Sequence, residues 1–438
     1  MHSTAEPRTL ASASGIGQNP PVASYVGRFR WVICTLLLVG VTKNYMDRQV
    51  LGVLKTTLQH DLGWNEIDYS NLVFVFQAAY AVGIVLAGRL IDWLGTRTGY
   101  ALSMVFWSLA SMAHAACGSL FSFAVARSAL GLGESGVFPA SIKTVAEWFP
   151  QKERALATGI FNAGSNVGAI LTPVTVPWIT VRYGWRAAFV FTGALGFIWL
   201  LFWLLLYRKP EEHPRLSKAE LDYITSNRPR GLPQLKWIKI IPHRQTWAFV
   251  LGKFTTDPIW WFLLFWTPGF LQQVHGLRLT QLGLPIMVIY VLADIGSIAG
   301  GWFSSSLIHR GVSVNAARKS AMLICAVSVT PIIFEYWVHN LWGAVLLIGL
   351  AAAAHQGFSA NLFTLPSDIF PAQAVGSVVG FGGMAGAIGG MLMATIVGHV
   401  LQWTGSYMVP FLIAGIAYLL ALAIIQLLTP NLEPAKIE

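Results

Sequence analysis

The stretch Glu147-Trp148-Phe149-Pro150, followed by Gly159 and Gly168, returns 221 residues later as Asp368-Ile369-Phe370-Pro371, followed by Gly380 and Gly389. An acid, a Phe-Pro pair and two glycines that coincide at one offset form an internal repeat, which divides the chain into two related halves. A weaker correspondence points the same way. Gly88, Leu90, Asp92, Gly95 and Arg97 are answered by Gly301, Phe303, Ser305 and His309-Arg310, with Ser305 in the place of the acid.

Around the repeat lie long apolar runs. Of 438 residues only 48 are charged, or 11%, and 55% are hydrophobic. Soluble domains carry about 25% charge, so this chain could not cover the surfaces of two or three of them. Disorder is excluded by the same numbers, because disordered chains are poor in apolar residues. The net charge of +10 does not point to nucleic acid, since the basic residues are scattered between apolar runs rather than gathered on one face.

A bilayer core takes about 20 residues of helix, and runs of that length recur near 31–52, 68–91, 99–117, 120–144, 155–180 and 186–207. After a break they resume near 246–272, 282–307, 317–337, 341–364, 373–402 and 407–428. The expected fold is an all-α membrane protein with twelve transmembrane helices in two six-helix halves, residues 28–207 and 246–428. Residues 1–27 and 429–438 read as cytoplasmic tails; the first contains Pro20-Pro21 and no apolar core of a signal peptide. The polar linker 208–245 carries nine basic residues, and Ser217-Lys218-Ala219-Glu220 has capping-box spacing before a short surface helix. With both termini inside, nineteen Lys and Arg face the cytoplasm and four (Lys55, Arg182, Arg186, Arg278) face out. That asymmetry sets the orientation.

Several patterns carry no chemistry. Cys34, Cys117 and Cys325 lie far apart inside apolar runs, and the ten histidines show no pair at metal-ligand spacing. Gly131-Leu132-Gly133-Glu134-Ser135-Gly136 matches the dinucleotide-binding pattern, yet it sits inside an apolar helix rather than after a strand. No nucleophile–base arrangement stands out. Neither an enzyme nor a cofactor nor a metal site is expected.

The informative residues are charges in the middle of apolar helices, each costing about 2.5–3.5 kcal/mol on insertion scales. Helix 1 holds Lys43, Asn44, Tyr45, Asp47 and Arg48; helix 4 holds Arg127 and Glu134, with Lys143 near its end. Helix 7 holds Lys253 and Asp257, and helix 8 holds Asp294. Arg127 and Glu134, seven apart, share a face about 10.5 Å apart along the axis, with Gly131 between them leaving space on that face. Tyr45 and Arg48 share another face, while Asp47 points about 100° away from Arg48, toward a neighbouring helix. Asp47, Arg48, Arg127 and Glu134 sum to zero, and protonating one carboxyl makes the set +1, which a monoanion neutralises. Coupled movement of a proton with an anion follows as a hypothesis; a structural ion-pair network is its alternative. Lys43 and Lys143 read as snorkelling side chains. Lys253 and Asp257 read equally as an i,i+4 structural pair or as part of a site.

Other polar residues of the cavity-facing helices are Asn162, Ser165 and Asn166 in helix 5, and His355, Gln356, Ser359, Asn361 and Thr364 in helix 10. They suit the hydroxyls of a sugar-like substrate, and Trp260, Trp261 and Trp266 suit its C–H face. Interhelical hydrogen bonds and an interfacial aromatic belt are the competing readings.

Two six-helix halves related by a parallel repeat resemble the major facilitator superfamily, and Gly88 through Arg97 resembles its signature loop. The resemblance implies a conformational latch at Gly88, Asp92, Gly95 and Arg97, in which Asp92 contacts a neighbouring helix terminus and helps hold the inward-closed state. Asn44-Tyr45-Met46-Asp47-Arg48-Gln49, together with helix 4 from Val125-Ala126-Arg127 to Lys152-Glu153-Arg154, resembles the anion:cation symporter family. Gly95-Thr96-Arg97-Thr98-Gly99-Tyr100-Ala101, Phe161 through Ala169, Ala293-Asp294-Ile295-Gly296, Ala354-His355-Gln356 and Ser367 through Phe370 narrow the likeness to bacterial hexuronate permeases.

That resemblance implies proton-driven uptake of glucuronate or galacturonate across the bacterial inner membrane by a multi-pass monomer, with the bilayer, the organic anion and protons as partners. It implies protonation at Asp47 and Glu134, with Arg127 tuning Asp47. It implies substrate contacts at Tyr45, Arg48 and Arg127, to which Asn162, Asn166, Trp261, His355, Gln356 and Asn361 are added as candidates. Ser165 stands where the galactonate symporters have Gln, a departure from galactonate itself. Another organic anion (an aldonate, glucarate or an aromatic acid) and a non-transporting membrane sensor are the alternative functions.

Overall fold

The computed structural model describes residues 27–225, 237–433 and 435. Nearly all of the first tail, the last residues of the second and the linker positions Arg228, Arg230 and Lys236 lie outside the described residues. Among the described residues there is no strand. Twelve long helical spans follow one another: α1 Phe29–Val53, α2 Glu66–Leu94, α3 Thr96–Ala113, α4 Leu120–Glu134 continuing as Val137–Trp148, α5 Gln151–Tyr183 and α6 Trp185–Leu206. Then come α7 Arg244–Gln273, α8 Gly283–His309, α9 Val314–Val329, α10 Leu341–Leu362, α11 Ala372–Thr404 and α12 Met408–Leu428. The expected runs and the observed helices agree to within a few residues at most ends. Departures have local causes. Tight 3₁₀ turns extend α3 through His114–Ala116 and α9 through Thr330–Trp337, where Pro331 cannot continue an α-helix.

Aliphatic and aromatic side chains such as Ile198, Leu201, Leu205, Leu346, Ile416 and Leu427 remain exposed on the outside of the bundle. That is a lipid-facing surface: backbone polarity is satisfied within helices and apolar side chains meet hydrocarbon. Seven of the spans are long and apolar enough to cross a membrane on length and composition alone. The other five, α1, α3, α4, α5 and α7, are the ones interrupted by charge, by polar residues or by a break.

The repeat has a structural basis. A Cβ on Gly168 would lie 2.4 Å from the Thr42 carbonyl oxygen, so α5 touches the backbone of α1 there. A Cβ on Gly389 would lie 2.5 Å from the Phe254 carbonyl oxygen, so α11 touches α7 in the same way. The acids of the repeat also correspond. Glu147 accepts a hydrogen bond from Thr96 Oγ1 at 2.7 Å, and Asp368 pairs with Arg318 at 3.2 Å. Each therefore ties the end of its helix pair to the start of the third helix of its half. Gly95, at φ 77°, is the one residue between α2 and α3, a turn that a side chain would strain.

The linker holds a short helix, Lys218–Thr225, capped by Ser217, whose Oγ accepts from Glu220 N at 3.2 Å. The Glu220 carboxylate does not close the capping box. It accepts instead from Phe29 N (3.3 Å) and Arg30 N (3.2 Å), the first turn of α1, where a negative charge suits the helix dipole. Glu220 thus fixes the start of α1 at the linker end of the bundle.

The halves meet along α1 with α7, α2 with α11, and α5 with α8. Their hydrogen bonds concentrate away from the linker. At the far end Tyr69 Oη donates to the Phe265 carbonyl (2.7 Å), Thr56 Oγ1 to Gln272 (2.7 Å), Gln273 Nε2 to Glu66 (3.2 Å), and Glu66 N to Gln402 (3.1 Å). Lys55, fully buried, pairs with Glu66 at 2.8 Å and reaches Tyr407 Oη at 3.4 Å. At mid-bundle Gln49 Nε2 donates to Tyr290 Oη (3.3 Å), and Asn166 bonds Asp294. None of these ties between the halves lies at the linker end.

Candidate functional site

Between the halves lies Arg48 of α1. Its Nε donates to Glu134 Oε2 of α4 at 2.6 Å in a buried ion pair. Four aromatic rings surround the guanidinium, with centroids at 4.5 Å (Tyr80), 5.0 Å (Tyr45), 5.3 Å (Trp261) and 5.4 Å (Phe76). Three of these rings come from the first half and Trp261 from the second. Rings contacting a desolvated cation stabilise it by about 2 kcal/mol or more. Only Nε of Arg48 has a hydrogen-bond partner among the described residues, so its two terminal nitrogens can present a donor fork to a carboxylate.

Glu134 closes the first segment of α4, where the helix breaks at Ser135–Gly136 and Ser103 Oγ takes the Gly133 carbonyl. Its Oε1 has no partner. Gly131 does not leave room inside the site as expected: a Cβ there would lie 2.5 Å from the Phe76 carbonyl oxygen, so it admits the backbone of α2. Gly133 likewise admits Trp107. The glycine-rich hexapeptide is helix packing.

Arg127 is fully buried, and none of its three side-chain nitrogens has a hydrogen-bond partner among the described residues; its guanidinium lies 4.6 Å from the Phe76 ring centroid. It does not bond Glu134, because Arg48 does. Asp47 does not join them either. It pairs within α1 with Lys43 (2.5 Å) and accepts from Ser111 Oγ of α3 (3.0 Å). Lys43, expected to snorkel, is 4% exposed, donates to Ser108 Oγ at 2.9 Å and lies over the Trp107 ring. The central set therefore holds five charges, not four. Three cations against two carboxylates leave one net positive charge where the four-residue sum gave zero.

The remaining candidates divide. Trp261 belongs to the centre. Asn166 hydrogen-bonds Asp294 of α8 across the two halves, and Asn162 is exposed one turn from it on the same face of α5, toward the linker end. His355 is packed inside the second half, stacked on Trp260 at 4.9 Å and bonded to Tyr418 Oη at 2.6 Å. Gln356 is half-buried, with no hydrogen bond among the described residues. Asn361 donates to the carbonyls of Gly300 (3.0 Å) and Gly357 (2.9 Å), an interhelical tie between α8 and α10. The structure does not bring His355 or Asn361 to Arg48.

In the α2–α3 loop, Asp92 pairs with Lys143 on the second segment of α4 at 2.7 Å, and Arg97 donates to the Leu204 carbonyl at 2.6 Å. Gly88 stands free. In the second half Ser304 accepts from Arg318 of α9 at 3.0 Å, the counterpart of α3 rather than of α4.

Sequence reasoning did not single out Tyr80, Phe76 or Gln77. The signal was present in the i,i+4 spacing of Phe76 and Tyr80, whose rings stack at 6.2 Å. Gln77, on the same helix, is buried with neither amide atom partnered. Nothing in α2 alone distinguishes that pair from ordinary core.

Comparison with known proteins agrees with this architecture. The family model for the Major Facilitator Superfamily matches residues 37–317. The hexuronate transporter of Escherichia coli strain K12 is 34% identical over 385 residues, covering 86% of this chain and 88% of that protein. The galacturonate transporter of Dickeya chrysanthemi is 34% identical over 278 residues, 62% of this chain and 81% of that one. Among solved structures, a bacterial homolog of the human lysosomal transporter Spinster, in an inward-facing and occupied conformation, superposes with a TM-score of 0.71 at 17% identity, over 92% of this chain and 97% of that one.

Proposed function

The chain belongs to the major facilitator superfamily, and we propose that it is a proton-coupled symporter for a hexuronate such as glucuronate or galacturonate. It works as a monomer in the bacterial inner membrane, with the linker and both termini cytoplasmic. The observation that carries this reading is Arg48: a buried guanidinium at the end of an open cavity, ringed by aromatics, with Glu134 on Nε and two nitrogens free. The two relatives named for hexuronate and galacturonate support the substrate class. The distribution of basic residues supports the orientation, and in that orientation the bundle described above is inward-facing.

Coupling follows from competition for Arg48. Two ionised carboxylates on one arginine in a dry site repel each other, which favours a proton on one of them. A substrate carboxylate arriving on the terminal nitrogens therefore favours a protonated Glu134. Adding one anion and one proton leaves the buried set at its original single positive charge, so loaded and unloaded sites cost the same to occlude. After release to the cytoplasm, Glu134 without its proton returns to Arg48 at 2.6 Å. Rocking of the halves, by opening the far-end bonds of Lys55, Glu66 and Tyr407 and closing the linker end, moves the site from one face to the other. Asp47, held by Lys43, is outside this exchange.

The test uses purified protein in liposomes with labelled glucuronate and an imposed inward pH gradient. Accumulation should follow the gradient, and Glu134→Gln should abolish it while preserving exchange of labelled for unlabelled substrate. Uptake indifferent to the gradient refutes proton coupling. Gradient-driven accumulation by Glu134→Gln refutes the role given to that residue.

A further inference from the structure

We propose that Asp257 of α7 is the residue that selects a polyhydroxylated anion, by accepting hydrogen bonds from hydroxyls of a substrate whose carboxylate sits on Arg48. The inference rests on the sugar-acid reading of the site. Lys253, Asp257 and Trp261 recur every four residues and share one face of α7. Trp261 covers Arg48 at 5.3 Å, so that face looks into the cavity, whereas Trp260 turns into the second half to stack on His355. The helix runs away from the linker, so Asp257 lies about 6 Å along its axis nearer the open mouth than the ring over Arg48.

The carboxylate is only half used. Its Oδ1 pairs with Lys253 at 2.7 Å, while Oδ2 has no hydrogen-bond partner among the described residues, and the side chain is 16% exposed. Oδ2 packs against α11 at a position that carries no side chain. A Cβ on Gly386 of α11 would lie 2.1 Å from that oxygen, so any side chain at 386 would displace it. A carboxylate accepts and never donates. Facing an anion site it cannot hold the substrate's charge, and the Lys253 ammonium offsets its own. What remains for Oδ2 is to accept O–H donors, which a sugar acid offers and a cycloalkane or aromatic acid does not. An anion without hydroxyls would bury this oxygen unpaired, and sites built to bond a hydroxyl discriminate strongly on that ground.

A purely structural ion pair makes a different prediction. Replacing both members of a buried pair by apolar residues is often neutral or stabilising, so Lys253→Met/Asp257→Leu separates the two roles. With the protein in liposomes, the KM for labelled glucuronate and the inhibition constant of cyclohexanecarboxylate, a monoanion of similar size without hydroxyls, are measured alongside thermal stability. The double variant should keep its stability and raise the glucuronate KM about 10- to 100-fold, the worth of one or two hydrogen bonds to a charged group. Inhibition by cyclohexanecarboxylate should be unchanged or stronger. A stable variant with the original glucuronate KM, or one in which both ligands weaken equally, overturns the proposal. Should the double variant fold poorly, the smaller apolar pair Lys253→Leu/Asp257→Val, which likewise removes both charges and every side-chain acceptor, is read the same way. A parent protein that moves no sugar acid refutes the substrate reading instead, so the two failures are distinguishable.

Discussion

Lys43→Met removes an ammonium that lies 2.5 Å from Asp47 and is sealed from solvent by Ser108 and Trp107. Its partner is equally buried and keeps only the Ser111 hydroxyl at 3.0 Å. Breaking a buried pair from one side leaves the other charge uncompensated, at a cost of about 3–5 kcal/mol. A bond from a neutral hydroxyl does not make that up. The single variant should therefore lose thermal stability markedly in detergent and transport poorly. Adding Asp47→Asn removes the orphaned charge, preserves an acceptor for Ser111 and leaves the net charge of the central set at +1. Most of the stability should return. Because Glu134 carries the proton in this scheme, Lys43→Met/Asp47→Asn should also recover accumulation driven by a pH gradient. The assay is the same liposome uptake, paired with exchange as a measure of a working cavity. A double variant that is stable and exchanges substrate, yet no longer accumulates it, would show that Asp47 carries the coupled proton and would refute the division of labour between the two acids.

Three further outcomes follow from the packing and the linker. Glu66→Ala removes the acceptor for Gln273 and the partner of Lys55; it should loosen the far end, seen as faster labelling of a cysteine placed at Tyr45, behind these ties, by an impermeant reagent from the outside, and unchanged labelling argues against a gate there. Gly168→Ala and Gly389→Ala each drive a methyl to about the same distance from a carbonyl oxygen, and overpacking costs about 1–3 kcal/mol. Both should lower folded yield to a similar degree, whereas an effect in one half alone contradicts the structural repeat. His213 in the linker accepts from Arg215 N, contacts the Leu206 carbonyl, and is held below its ordinary value of 6.5 by burial and then by Arg208 and Arg215. A base whose folded pKa is depressed contributes stability that is complete above its unfolded pKa and is lost as pH falls through that value toward the folded one. Proteolysis of the Lys218–Thr225 segment should therefore accelerate below about pH 6.5, and a flat profile between pH 5 and 8 counts against this.

The twelve spans were legible because a membrane helix announces itself by length and apolarity, and because Gly168 and Gly389 mark the same backbone contact in both halves. Individual charged residues were legible for the same reason, as exceptions in an apolar background. Their pairing was not. Spacing along α1 correctly turned Asp47 away from Arg48, yet the partner it turned toward was Lys43 one turn back, with Ser111 of α3 behind it. Lys43 lies well inside both the expected run 31–52 and the observed Phe29–Val53, too deep to snorkel, and a buried partner is the better reading. Arg127 and Glu134 share a face as the seven-residue spacing implies, but Arg48 reaches Glu134 first, and no property of helix 4 alone foretells that. Tyr80 and Phe76 were indistinguishable from core until α2 was seen to bring them over Arg48. Polar residues of α10 were hardest of all, since Asn361 serves helix packing and its sequence context resembles that of a ligand.

The pairing pattern explains why one charge is left over. An isolated charge near the bilayer centre costs several kcal/mol, and this chain keeps that cost low by seating most cations beside an acid: Lys43 with Asp47, Arg48 with Glu134, Lys253 with Asp257. Arg127 alone is buried without a hydrogen bond, against the face of Phe76. A ring face is a weaker partner than a carboxylate, so the positive charge persists at the level of the cavity end. Were Arg127 paired as the others are, the central set would be neutral, and an anion arriving ahead of its proton would leave an uncompensated negative charge in a dry site. With Arg127 unpaired, the anion arrives at a positive site, and the proton that travels with it on Glu134 keeps the loaded set at the same single positive charge. The unpaired arginine thus sets the charge of the cargo, while Arg48 supplies the geometry that receives its carboxylate.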